Sequence, residues 1–180
     1  MTKTLLLSCC APCSCAVIQK MAADGIDFAV VFYNPNIQPA EEYEKRRAEN
    51  EKFCRDRGVS FITLEYDPEN WRGKVRGMEA EPERGKRCSV CFLMRLRRVA
   101  EYARQNGFDT ITSVLGVSRH KDFNQATEAG RQVAAEYGLV YDETNWRKGG
   151  LEQLRQRLVR ESGMYAQDSC GCPFSKRKPE

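Results

Sequence analysis

The chain carries nine cysteines in 180 residues, and eight of them fall into three tight groups. Cys9, Cys10, Cys13 and Cys15 lie within seven positions in "LLLSCCAPCSC", Cys88 and Cys91 form "CSVC", Cys170 and Cys172 form "CGC", and Cys54 stands alone. The two-residue gaps in "CAPC" and "CSVC" are the spacing of metal chelates. The second cysteine of each falls in or near the first turn of a helix, where the backbone dipole favours a thiolate. In the extended "CGC" segment, residues two apart point to the same side. Gly171 lets the backbone approach closely, and Pro173 blocks a helix. Cys9, Cys10, Cys13, Cys88, Cys91, Cys170 and Cys172 are therefore seven candidate ligands. One tetrahedral zinc or one four-iron cluster takes about four. The surplus suggests a cluster with a second metal, or a cluster with redox-active thiols; a four-cysteine zinc site with bystanders is the plainer alternative. Cys54 reads as a buried thiol without a ligand role; Cys15 lies close to the site but a turn into the helix, and its role stays open.

The elements that must bring these groups together alternate in type. "KTLLL" (3 to 7), "FAVVFY" (28 to 33), "VSFITLEY" (59 to 66), "DTITSVLG" (109 to 116) and "LVYDET" read as strands. Helical patterns separate them: "SCAVIQKMAAD", "AEEYEKRRAENEKFCRDRG", "VCFLMRLRRVAEYARQNG" and "NQATEAGRQVAAEYG", with "LEQLRQRLVRESG" last. Phe92, Leu96, Val99, Ala100 and Ala103 form one apolar stripe. Residues 67 to 87 show weak periodicity and read as partly irregular, and the tail 164 to 180 has no strong pattern. This predicts one α/β domain over 1 to 180, with a mostly parallel sheet and helices on both faces. The metal site belongs at the carboxyl ends of the strands.

Net charge is +4, and no stretch has the roughly 20 apolar residues a membrane helix needs. The apolar run at the start is too short for a signal peptide and reads as the first strand. Clustered thiols of odd number suit a reducing compartment rather than a disulfide framework, so a cytoplasmic protein is expected.

"CCAPCS", "FYNPNIQPAEEYEKR", "RCSVCFLMRL", "RHKD", "RKGG" and "DSCGCPFS", in this order, resemble the cobalamin-independent epoxyqueuosine reductases of the QueH family, from about Leu5 to Ser175. The resemblance implies a fold related to the nucleotide alpha-hydrolases. It also implies a 4Fe-4S cluster with an adjacent iron, and reduction of the epoxide of epoxyqueuosine to the alkene of queuosine, with the tRNA anticodon loop as partner. By the same resemblance Cys9, Cys10, Cys88, Cys91, Cys170 and Cys172 match the metal-ligand motifs. Cys13 falls where some relatives carry an acid, and Leu7 where many carry a histidine. No glycine-rich phosphate cradle follows the first strand, so no ATP chemistry is expected, and the electron donor is unassigned.

Reducing an epoxide also needs protons, and His120 and Asp168 are the candidate donors. Phosphate contacts to RNA are expected from Arg95 and Arg98, with Arg97 and Arg104 on the same helix, and from Lys176, Arg177 and Lys178 beyond the last cysteines. Tyr33, Trp146 and Tyr165 are candidate base-stacking platforms. The competing readings are a cluster-dependent tRNA thiolase and a zinc-stabilised RNA-binding module without catalysis.

Overall fold

Leu5, Leu6 and Leu7 are all fully buried, as a strand covered on both faces requires. In the computed structural model, which describes residues 2–118 and 121–175, they lie in β1 (Lys3–Ser8), the middle strand of a five-stranded sheet. β2 (Asp27–Phe32) and β3 (Phe61–Thr63) extend the sheet on one side; β4 (Thr110–Ser113) and β5 (Val140–Tyr141) extend it on the other. Every pairing is parallel, with Leu6 beside Val30 and Thr112.

The helices are α1 (Ala11–Ala23), α2 (Ala40–Arg55), α3 (Pro68–Val75), α4 (Lys86–Gln105), α5 (Phe123–Tyr137) and α6 (Leu151–Ser162). The alternation of β1 sorts them into two layers. Leu5 and Leu7 share a core with Phe92, Leu96 and Val99 of α4 and Val133 of α5. Leu6 shares another with Val17 and Ile18 of α1, Phe53 of α2 and Leu158 of α6. The predicted architecture and the α4 stripe are as expected.

The outer strands are shorter than the sequence suggests. β3 and β5 keep three and two residues, because ladder bonds at an edge come from one side only. Residues 67 to 87, expected to be partly irregular, contain α3. Its start is set by Asp67, whose carboxylate accepts the Asn70 N–H at 3.1 Å, and by Pro68 in the first turn. Helix α4 begins at Lys86, so Cys88, not Cys91, occupies its first turn.

Among the described residues, no helix is long and apolar enough to cross a membrane.

Candidate metal centre

β1 ends at Ser8, and the chain turns through Cys9 and Cys10 into α1, with Cys10 as its cap and Pro12 in its first turn. Asn50 of α2 fixes this turn. It is fully buried, donates to the Ser8 hydroxyl at 2.5 Å and accepts from the Ser14 hydroxyl at 3.2 Å. The turn brings the sulfurs of Cys9, Cys10 and Cys13 within 4.8 Å of one another, with Cys9 and Cys10 3.9 Å apart. Hydrogen bonds from the Cys10 and Cys13 thiols, aided by the charges of Lys121 and Arg95, hold the Cys9 thiol well below its ordinary pKa. The same bonds, together with burial, push Cys10 well above it. The trio thus readily concentrates negative charge on one sulfur.

The other four candidates line one cavity. Cys88 and Cys91 come from the start of α4, and Cys170 and Cys172 from the tail that folds back beside them. Gly171 makes this return possible. Its φ is +88°, and a Cβ there would meet Ile37 Cγ1 at 2.9 Å. The tail is fastened by the Gln38 N–H donating to the Gly171 carbonyl at 3.0 Å and by Arg46 donating to the Ser169 carbonyl at 3.3 Å. The Cys170 sulfur lies 3.0 Å from the Ser175 hydroxyl. The Cys172 thiol, then the Lys121 charge and the Ser175 hydroxyl, hold Cys170 well below its ordinary pKa. Burial pushes Cys88 up.

Lys121 joins the two sets. It is buried and lines the four-thiol cavity. Burial works against its charge, but the thiolates of Cys9, Cys170 and Cys13 outweigh this and hold its pKa above the ordinary value. Arg147 pins the chain around it by donating to the carbonyls of Val117 at 3.2 Å, Ser118 at 2.5 Å and Lys121 at 2.8 Å. Three further buried polar atoms on residues of this cavity have no protein partner: Trp71 Nε1, Arg87 Nη2 and Asn36 Oδ1. Sequence reasoning passed over Trp71 and Arg87, although "GKRC" places Arg87 next to a predicted ligand.

Several expected functional residues occupy other environments. Arg95, read as an RNA contact, is 1% exposed. Its guanidinium donates to the Tyr33 carbonyl at 3.2 Å and to the Asn34 side chain, and Asn34 in turn donates to the Ser8 carbonyl at 2.9 Å. It braces the strand ends and cannot meet a phosphate there. Arg98 is engaged by Glu65 at 2.6 and 3.0 Å and by Glu101 at 3.3 Å, and Arg97 by Glu136 at 2.8 and 2.9 Å. Asp168 is exposed and lines a surface hollow with Glu42, Lys45 and Tyr165, apart from the cysteine cavity. Tyr33 and Trp146 are core side chains. Tyr165 is partly exposed, with Lys45 seated 3.3 Å over its ring. His120, Lys176, Arg177 and Lys178 lie outside the described residues. Cys15 and Cys54 are fully buried, and burial pushes their thiols up to about 11 and about 12.

A second hollow, of about 460 Å³, opens beside the half-exposed Cys13. Ser118, Arg147, Arg155 and Gln156 contribute to its wall.

A five-stranded parallel sheet with helices on both faces and a thiol-rich centre where β1 meets α1 defines an α/β protein with a cysteine centre at the sheet's carboxyl edge. Two solved structures share the fold. The predicted subunit of a tRNA methyltransferase from Methanocaldococcus jannaschii superposes with a TM-score of 0.61 at 10% identity, over 91% of this chain and 89% of that one. The U34-tRNA thiolase NcsA from Methanococcus maripaludis, solved with its [4Fe-4S] cluster, superposes with a TM-score of 0.60 at 13% identity, over 98% and 62%. Within that class the chain belongs to the QueH family: the model described as epoxyqueuosine reductase QueH matches residues 4–178. Epoxyqueuosine reductase QueH of Histophilus somni is 48% identical over 176 residues, covering 97% of this chain and 72% of that one. The QueH of Thermotoga maritima is 35% identical over 178 residues, covering 97% and 91%.

Proposed function

We propose that this chain is an epoxyqueuosine reductase acting on tRNA. The reaction takes two electrons and two protons, releases the epoxide oxygen as water and leaves the alkene of queuosine. The observation that carries this is a pair of thiol sets, the Cys9, Cys10 and Cys13 trio and the cavity of Cys88, Cys91, Cys170 and Cys172, both facing the charge of Lys121, in a chain that matches the QueH family over nearly its whole length.

The spacing of the sulfurs supports a division of labour. A single tetrahedral ion with bonds of about 2.3 Å holds its sulfurs about 3.8 Å apart, and among the described residues only Cys9, Cys10 and Cys13 form a three-ligand group that tight. Cys88, Cys91, Cys170 and Cys172 surround a shared cavity without forming such a group, which suits a cluster whose irons each take one thiolate. We assign the four-thiol set to a 4Fe-4S cluster and the trio to the adjacent iron. The unpaired Trp71 and Arg87 nitrogens favour a sulfur-rich occupant of the cavity. Together these groups would supply one-electron transfer and a Lewis acid.

The protein's own contribution is charge compensation and access. Lys121 and Arg95 place two buried cations against thiolates that would otherwise be costly to bury. The hollow beside Cys13 has the size of a small-ligand pocket and would admit the modified base to the trio. His120, next to Lys121 in sequence, is retained as the proton-donor candidate, since Asp168 lies off the cavity. The tail residues Lys176, Arg177 and Lys178 are the remaining phosphate contacts, and the electron donor enters from outside the chain.

Protein purified anaerobically is analysed for iron and acid-labile sulfide, then given dithionite and tRNA containing epoxyqueuosine without cobalamin. Mass spectrometry of the digested nucleosides should show loss of one oxygen. Stoichiometric zinc without sulfide, or unchanged epoxyqueuosine with iron-replete protein, would overturn the reading.

A further inference from the structure

A buried N–H without an acceptor is uncommon, because leaving one unpaired costs about 1–3 kcal/mol. Among the described residues three side chains carry such a donor, Gln38, Trp71 and Arg87, and the last two line the cavity of Cys88, Cys91, Cys170 and Cys172. Trp71 is fully buried, and its Nε1 has neither an oxygen nor a sulfur partner. It packs in one apolar cluster with Cys91, Cys172 and Cys170. Its ring stacks on Phe174 with centroids 5.9 Å apart and planes 19° from parallel, so the tail that carries two of the thiols also fixes the indole. Arg87 is equally buried. Its Nη1 is spent on the carbonyls of Met78, Glu79 and Glu81, which leaves Nη2 unpaired.

We infer that Trp71 Nε1–H and Arg87 Nη2–H donate hydrogen bonds to sulfur of the cluster held in this cavity, and so set its reduction potential. The inference rests on the cluster assignment made above. Asn36 Oδ1 and the Glu83 carboxylate also line the cavity, but neither is bonded to these donors; sulfur is the acceptor that four thiols bound to iron would add. Adding an electron makes the cluster more negative, so an N–H···S bond is stronger in the reduced state and raises the potential. Both residues are positioning and tuning residues: neither touches the substrate hollow, whose wall lies beside Cys13.

Trp71→Phe keeps the aromatic packing and removes only the donor. Anaerobic wild-type and variant proteins are titrated with dithionite while the reduced cluster is followed by electron paramagnetic resonance; iron, sulfide and thermal midpoint are measured in parallel. A charge-assisted hydrogen bond is worth about a tenfold ratio. The variant should therefore keep its iron and sulfide but show a midpoint lower by about 59 mV, a tenfold change for a one-electron couple. Arg87→Lys, which keeps a cation and loses the second guanidinium nitrogen, should move the same way. Wild-type protein with indole-15N-labelled tryptophan provides a readout that needs no folded variant. Pulsed resonance of the reduced cluster should show a 15N coupling. The chain's other tryptophan, Trp146, instead donates to Thr112 at 3.4 Å. An unchanged midpoint in a cluster-replete Trp71→Phe protein would overturn the inference, as would a lowered melting temperature with the potential intact or an absent coupling. Wild-type protein without sulfide would instead overturn the cluster assignment itself.

Discussion

Replacing Gly171 with alanine should detach the tail thiols from the centre. Two costs add. At φ +88° a side chain is disfavoured by roughly 1–2 kcal/mol. The new Cβ would also sit 2.9 Å from Ile37 Cγ1, 3.1 Å from Cγ2 and 3.2 Å from Cα. Ile37 is fully buried and one of the contacts is backbone, so it has little room to yield; overpacking of this kind costs about 1–3 kcal/mol. The sum, about 2–5 kcal/mol, is a large part of the stability of an ordinary domain. The cheapest relief is for residues 170 to 172 to move off Ile37. That breaks the 3.0 Å bond from the Gln38 N–H to the Gly171 carbonyl and carries Cys170 and Cys172 away. The expected result is a lower melting temperature in metal-free protein and a severe loss of iron and sulfide after anaerobic reconstitution. Gly163→Ala is the control. Its φ is +60°, and nothing lies within 4 Å of the added carbon, so it meets only the conformational cost and should keep its iron. If Gly171→Ala melts like Gly163→Ala and loads iron like the wild type, the steric argument is wrong.

Arg95→Met should destabilise the fold by about 2–4 kcal/mol, because the Tyr33 carbonyl and the Asn34 amide lose a buried partner; urea unfolding reads this, and an unchanged midpoint would contradict the bracing role. Cys54→Ser should cost only about 1 kcal/mol and leave iron content as in the wild type. With their thiols raised to about 11 and about 12, Cys15 and Cys54 should stay unalkylated by iodoacetamide at pH 8 in native protein. Their neutral state stabilises the fold below about 9, the ordinary thiol value, and that stability should be lost as pH rises towards 11–12; titration calorimetry or unfolding across that window checks the sign. Replacing Lys176, Arg177 and Lys178 together with alanine should weaken tRNA binding, leave iron unchanged and flatten the slope of log affinity against log salt by about 2–3 units.

Much of the candidate site could be read along the chain because its candidate ligands are cysteines and its positioning devices are local. A buried strand followed by "CCAPC" implies its turn from neighbours alone, whereas "CGC", read as extended, bends at Gly171, whose φ is +88°. Arg95 was legible in principle and misread. It lies three residues after Phe92 and four before Val99, on the apolar stripe itself, so spacing should have marked it as buried despite its charge. Trp71 was not legible. The segment around it has weak periodicity, and only the return of the tail creates the cavity that orphans its indole. The short outer strands were overestimated because β-branched and aromatic residues there pack on helices without extending the ladder.

Three segments separated by most of the chain's length meet at this centre, and that gives it a second consequence. A cofactor bound here would clasp residues 9 to 13 and 170 to 172 to the start of α4. Without it, residues 164 to 175 are held by hydrogen bonds to α2 and the loop before it, by the buried Met164 and by the stacking of Phe174 on Trp71. Loss of such a cofactor would therefore loosen the segment 164 to 175 as well as empty the site.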